Sequence, residues 1–308
     1  MNETLNDADN SLQSHGNWAS TFPECMDSVP DSLTFLNRCI CIGVSTILYK
    51  RGVIPQQCFK GRLIEKYRVY TMNTSNAIGN RLHQKIKGVC DAIRQGYLDE
   101  IAVVFFPKLN VEEVFEVYSF KINYDDDNNP NIDFSRGLNA TDKQKLMSFK
   151  YNGPEQAKGE FFRLVRVIHD LTRKFMRPLP PNCDAGFRSA YRTHTPADYQ
   201  APGFVPSDIF YELVPEAQRV EFGHIRGGHH ESLVVCYSTL LEEAGKVRGA
   251  VENCNKSRMN QFINESFAEI SNVSNKSPKN TSKDGYSENS KGRIYPLYAR
   301  TKNVKAVV

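Results

Sequence analysis

The marks of a catalyst or a secreted protein are missing from these 308 residues. There is no phosphate-binding GxxxxGK[ST] loop, dinucleotide GxGxxG turn, zinc-binding HExxH or GxSxG elbow. Nucleotide-driven, dehydrogenase, metallopeptidase and serine-hydrolase chemistries therefore lack their anchoring residues. The cysteines, at 25, 39, 41, 58, 90, 183, 236 and 254, form no CxxC pair and are irregularly spaced. They read as free thiols, several of them serving as small core hydrophobes. The first thirty residues are rich in Asn, Ser and Asp, with no basic segment leading into an apolar run, which argues against a secretory signal. No stretch approaches the 18 or so apolar residues of a membrane span. The expectation is a soluble, intracellular chain.

Apolar residues make up 40% of the chain, with 18 Phe and 14 Tyr, enough for a real core. The net charge of +4 is unevenly placed: from Ser271 to Val308 eight Lys/Arg stand against two acids. The basic balance thus belongs to the tail. It offers weak, salt-sensitive attraction to nucleic acid or simply solvates the tail.

Periodicity predicts helices over 32–51, where Leu33, Leu36, Ile40, Val44, Ile47 and Leu48 share a face, over about 75–95, and over 155–177. Asp31 or Ser32 can cap the first, and Gly52 with Pro55 stops it. Phe59 and Ile64 fall in a short connection. Strands are predicted at Ile101–Phe106 and Val114–Tyr124, with a polar turn over Asp125–Asn131 and a return strand at Ile132–Phe134. After Pro181 short apolar pieces alternate with Pro, Gly and Asp, like extended chain wrapped over a scaffold, and Ser232–Leu241 reads as a strand. Beyond about Ala268 the composition reads as disorder, interrupted by the island Arg293–Arg300. The order of elements suggests an α+β domain, helices packed on an antiparallel sheet.

Two segments carry a specific likeness. Ser45-Thr-Ile-Leu-Tyr-Lys-Arg-Gly-Val-Ile-Pro55, followed by Phe59, is similar to the ILYxRGxxP…F signature of HORMA domain proteins. Glu116-Val-Tyr-Ser-Phe-Lys-Ile-Asn-Tyr124 resembles the family's ExYxFxxxY strand. The likeness covers about residues 30–250 and looks closest to the meiotic chromosome-axis branch, especially its compact nematode members. It implies a HORMA-like domain over 30–250 with a C-terminal safety belt at about 202–241. A flexible arm over 1–29 and a tail over 251–308 would flank it. It further implies a non-enzymatic adaptor of the nucleus and the meiotic axis that binds closure-motif peptides of axis proteins, of related HORMA proteins or of its own tail. Such an adaptor would support homologue pairing, synapsis within the synaptonemal complex, recombination and crossover regulation, and cohesion control. A checkpoint-type HORMA adaptor and a weak, non-specific nucleic-acid binder are the alternatives.

Within that frame the peptide-binding candidates are Tyr211, Val214 and Val234. The closure-motif candidates are Arg293, Ile294, Tyr295, Pro296, Leu297 and Tyr298, inside a segment of about 286–304. A strand adds backbone hydrogen bonds at a sheet edge, and alternate side chains set specificity. No catalytic residue, cofactor, metal site or membrane partner is expected. His224, His229 and His230 match no metal-ligand spacing, and Asp125–Asp127 lack the alternating ligands of an ion loop. The histidine- and glycine-rich stretch 221–231 leaves the belt register there open. Arg163, Arg166 and Arg173 are expected either to meet the peptide or to solvate a helix face.

Overall fold

The computed structural model describes residues 15–111, 113–125, 151–207, 210–242, 246–247, 249–251 and 298–300. The predicted return strand at Ile132–Phe134, the candidates Arg293–Leu297 and most of the tail lie outside the described residues.

The first helical stripe becomes α2, Val29–Arg51. Ser28, one turn earlier than expected, caps it by accepting from the Asp31 amide at 3.2 Å. Pro30 in the first turn needs no amide partner there, and Gly52 ends the helix at φ 72, a conformation costly for a side chain with Cβ. Thirteen of its residues are buried, nearly all round, because it runs through the middle of the core. By length and composition it could cross a membrane, which corrects the expectation that no segment could. Yet 67% of that window is buried inside the fold, as befits a core helix.

Beside it lie α3 (Ala77–Arg94), capped by the Asn76 side chain, and α4 (Pro154–Lys174), whose Phe161, Phe162, Leu164, Val165, Ile168 and Leu171 face inward. A 3-10 turn at Gln56–Cys58 leads into a hairpin, β2 (Phe59–Ile64) and β3 (Tyr67–Met72). This corrects the expectation of a short connection. Phe59, Ile64, Val69 and Met72 are buried, so the hairpin covers one side of α2.

Strands β4 (Leu98–Pro107), β6 (Glu116–Tyr124), β7 (Cys183–Tyr191), β10 (Gln218–Arg226) and β11 (His230–Ser238) build the main sheet. Its spatial order is β10-β11-β6-β4-β7, antiparallel throughout. The partners of β6 are β4 and β11. One sheet face packs on the helices. The other carries a smaller cluster around Ala102, Val104, Phe106, Val117, Leu233, Val235 and Tyr237.

The two signature segments meet at one point. Arg51, closing α2, donates from Nε and Nη2 to both carboxylate oxygens of Glu116, opening β6, at 2.7 and 2.8 Å. Both side chains are buried, at 3% and 0% exposure. The pair registers the central helix against the sheet across 65 positions of chain.

The arm expected to be flexible over 1–29 is folded from residue 15 onward. A short strand β1 (His15–Gly16) runs parallel to the end of β2, and one helical turn, α1 (Trp18–Thr21), follows. The Trp18 ring stacks on Phe22 at 4.3 Å and meets Phe161 and Phe162 edge-on, while Met26 is fully buried. Large aromatic groups in an otherwise polar stretch are what hold this segment down.

Candidate functional site

From Arg192 the chain leaves the edge of the sheet as an irregular strap, and Gln218 opens the hairpin at the far side of the sheet. The Arg192 amide donates to the Tyr97 carbonyl, and the Ala201 amide donates to the Tyr191 hydroxyl at 3.0 Å. The strap then crosses α3 at Gly88. A Cβ built there would lie 2.2 Å from the Pro202 carbonyl oxygen, so only glycine admits this crossing. Beyond it come the short strands β8 (Val205–Pro206) and β9 (Glu212–Leu213). The latter pairs in parallel with β5 (Glu113–Val114) on the outer face. The strap ends in the β10–β11 hairpin, which completes the sheet against β6.

Between β7 and β8 lies a strand from the distant tail, β12, Tyr298–Arg300. It runs parallel to both, with Tyr298 opposite Arg188 and Val205, Ala299 opposite Ser189 and Pro206, and Arg300 opposite Ala190. Of the closure-motif candidates, Tyr298 therefore falls in this strand, and Ala299 and Arg300 extend it. An extended chain seated here is paired along both edges, with β7 on one side and β8 on the other.

Buried polar groups fasten the strap to the outer sheet face. Arg188, only 2% exposed, donates to the Phe210 carbonyl at 2.7 Å and also to the Val111 carbonyl, its guanidinium standing 5.9 Å from the Phe106 ring centre. It thus ties strand β7, the neighbour of β12, to the strap. The Tyr211 hydroxyl donates to Glu100 at 2.8 Å, and the Ser119 hydroxyl donates to the same carboxylate at 2.6 Å. Burial pushes the Glu100 carboxyl up, offset by Lys121 and these two donors; burial and then Glu100 push the Tyr211 phenol well above its usual range.

The residues expected to touch a peptide are distributed differently. Tyr211 anchors the strap to the outer face. Val214, half-buried, follows β9, and Val234 sits in the main core opposite Phe120, with β6, β4 and β7 between its strand and β12. Arg188, Gly88 and the whole of β7 escaped the sequence reading.

The register left open over 221–231 resolves into a bulge between Glu221 and Gly223 and a turn at 227–229. Arg163 lies over the bulge, its cation disfavoured by burial, so it does not simply solvate a face. The turn rests on the N-terminal arm. The Gly228 amide donates to the Met26 carbonyl, the His229 amide to the Ser32 hydroxyl, and the His229 ring nitrogen lies 2.8 Å from the Asp27 carbonyl. His230 contacts the Ser32 hydroxyl at 2.9 Å. Among the described residues no group of three His, Cys, Asp or Glu is placed to hold a metal ion.

Comparison with known proteins agrees with this architecture. HORMA domain-containing protein 1 of Danio rerio is 24% identical over 199 residues, covering 63% of this chain and 53% of that protein. HORMA domain-containing protein 2 of Mus musculus is 24% identical over 226 residues, covering 69% of each. The chain spans about half the length of the HORMA domain-containing protein 1 relatives it matches. Among solved structures, C. elegans HTP-2 bound to a HIM-3 closure motif superposes with a TM-score of 0.66 at 27% identity, over 74% of this chain and 99% of that one. C. elegans HTP-1 bound to the HIM-3 closure motif gives 0.66 at 26%, over 75% and 100%. The family model described as HORMA domain matches residues 32–230, most of the chain. The chain belongs to the HORMA domain family, whose domains act as adaptors and not as catalysts.

Proposed function

We propose that this protein is an adaptor of the meiotic chromosome axis that captures closure-motif peptides between β7 and β8, under the strap over about 192–217. The observation that carries the reading is the pairing of the tail strand β12 with both β7 and β8. A seat that holds a strand from some hundred residues away is chemically a peptide receptor. The similar C. elegans proteins HTP-1 and HTP-2 carry the closure motifs of HIM-3 and HTP-3 in their structures, which supports axis proteins as the partner class. The tail segment of about 286–304 is then one ligand of this domain or of a second copy. Enclosure by the strap acts chiefly on release, since escape requires it to open. Nuclear, chromosomal placement and roles in pairing, synapsis, crossover formation and cohesion follow from that assignment.

The test uses the full chain with Ala299→Pro, which removes one amide from β12 and frees the seat. A labelled synthetic peptide of residues 286–304 is titrated against it at low and high salt. Saturable binding that persists at high salt is the expected result. Absence of peptide binding, with salt-sensitive DNA binding in its place, would overturn the reading in favour of an electrostatic tail contact. Imaging in meiotic cells checks the cellular half: a signal off the chromosome axes would refute it.

A further inference from the structure

Positive charge in the folded domain gathers on the small three-stranded sheet, a different sheet from the one that holds β12. The chain's +4 includes +6 from the tail, so residues 1–270 sum to −2. Within them the hairpin Phe59–Met72 alone carries +3, with Lys60, Arg62, Lys66 and Arg68 set against Glu65. Lys60 and Arg62 are exposed two residues apart on β2, so they stand on the same side of the strand, about 7 Å from one another. Lys66, also exposed, sits at the tip, where Glu65 (φ 54) and Lys66 turn the chain between Ile64 and Tyr67. The hairpin's one acid is taken up, since Glu65 pairs with Lys158 of α4 at 2.5 Å. Alongside, α4 carries the charge onward. His169 lies 2.9 Å from the Arg68 carbonyl, and the exposed Arg173 follows one turn further on the same side of the helix. The neighbouring Asp170 is answered by Lys174 at 2.9 Å.

What the hairpin lacks decides its partner. Among the described residues the exposed large apolar side chains are Val29, Leu109 and Val205, none of them on this hairpin. A protein partner needs such anchors, and protein interfaces are poor in lysine. Nor can a peptide add as a strand along the whole edge of β2, because β1 already pairs there with Leu63 and Ile64. A surface serving only solubility would mix both signs of charge. Spaced cations on a two-stranded ribbon suit a stiff polyanion, and duplex DNA offers one phosphate charge per about 1.7 Å of its axis. We propose that the β2–β3 ribbon is a second binding surface, holding the phosphate backbone of double-stranded DNA through Lys60, Arg62 and Lys66, with Arg173 on its flank. Binding is independent of sequence, because phosphate contacts carry no base information. The DNA contact stands without the peptide-capture reading; together with it, one domain holds a captured peptide and a duplex at once.

The experiment titrates the full chain against a short labelled duplex of mixed sequence, by fluorescence anisotropy, over about 50–200 mM salt. The wild type is compared with Lys60→Gln/Arg62→Gln and with a tail pair, Lys302→Gln/Lys305→Gln. The ribbon positions are exposed, so melting temperatures should be unchanged. The ribbon pair is expected to weaken binding roughly tenfold to a hundredfold at the low-salt end, and to lower the slope of log K against log salt by about 2. A ribbon pair that binds and titrates like the wild type overturns the proposal, any attraction then belonging to the tail. The swap Lys60→Arg/Arg62→Lys keeps the charge and should bind as the wild type does; a loss there would rule out a plain phosphate contact. Polyglutamate at equal charge should displace the duplex poorly. Displacement as efficient as by unlabelled duplex would replace DNA with an acidic protein as the occupant and sink the assignment. Binding of the 286–304 peptide, followed in parallel, should not change in the ribbon pair, so failure of peptide capture and failure of the DNA surface are read separately.

Discussion

Replacing Glu116 with alanine strands the Arg51 guanidinium in the core. Arg51 is 3% exposed and gives two charge-assisted hydrogen bonds to Glu116, keeping only a weaker contact at 3.2 Å with the Arg177 carbonyl once they are gone. Removing one partner of a buried ion pair costs about 3–5 kcal/mol. For a domain whose total stability is on the order of 5–15 kcal/mol, that is a large share. At about 2–4 °C per kcal/mol, the melting temperature should fall by roughly 6–20 °C. The pair itself need not add net stability: burial drives the Glu116 carboxyl upward in spite of Arg51, while on the arginine side burial is outweighed and the Arg51 cation is favoured, chiefly by Glu116, so desolvation and attraction largely offset each other. The double replacement Arg51→Met with Glu116→Leu should therefore recover most of the loss, because no charge remains buried. Urea unfolding of the two single variants, the double variant and the wild type measures this directly. A Glu116→Ala cost below about 1 kcal/mol, or a double variant as unstable as the sum of the singles, would refute the reasoning.

Three further outcomes are expected. Gly88→Val drives a side chain into the Pro202 carbonyl, so strap closure and peptide retention should fail while the melting temperature changes little; peptide off-rates check it. Arg188→Met removes two charge-assisted bonds, one to the Phe210 carbonyl of the strap and one to the Val111 carbonyl before β5, each worth about 1.5–3 kcal/mol, and limited proteolysis should then cut first within 205–217. Burial pushes the Glu231 carboxyl from 4.5 up to about 7, so the folded state holds this proton where the unfolded chain has lost it. Stability should therefore decline by on the order of 3 kcal/mol as pH rises from about 4.5 to about 7, and Glu231→Gln should flatten that slope in denaturant titrations.

The helices and the central strands β4, β6 and β11 were legible because each is long and strongly patterned. A stripe of apolar residues every three or four positions, bounded by a capping serine and a glycine or proline, needs no tertiary help to be recognised. The hairpin Phe59–Met72 was not, since its burial pattern is irregular and its two ends resemble the loops around them. Strand β7 was missed for a sharper reason. Cys183-Asp-Ala-Gly-Phe-Arg-Ser-Ala-Tyr191 contains small and polar residues that are poor strand formers in isolation. It is a strand because β4 supplies a ladder on one side and, at its far end, β12 on the other.

The site divides along the same line. Motif chemistry in the chain alone pointed to a HORMA-type receptor with a ligand-like island in its tail, since Ile, Tyr and Leu grouped within a polar stretch make too short an apolar run to form a core of their own. The choice of receptor residues was a tertiary matter. Val234 looked available on an alternating strand but is covered from both sides of its sheet position, and Tyr211 serves as a strap anchor through Glu100. Arg188 and Gly88 matter only because the strap returns across them, contacts that no local spacing encodes. Residue type and period set which elements this chain forms. Which of their edges and crossings becomes a peptide seat is decided by long-range pairing, where one carbonyl 2.2 Å from an imagined Cβ is enough to exclude every residue but glycine.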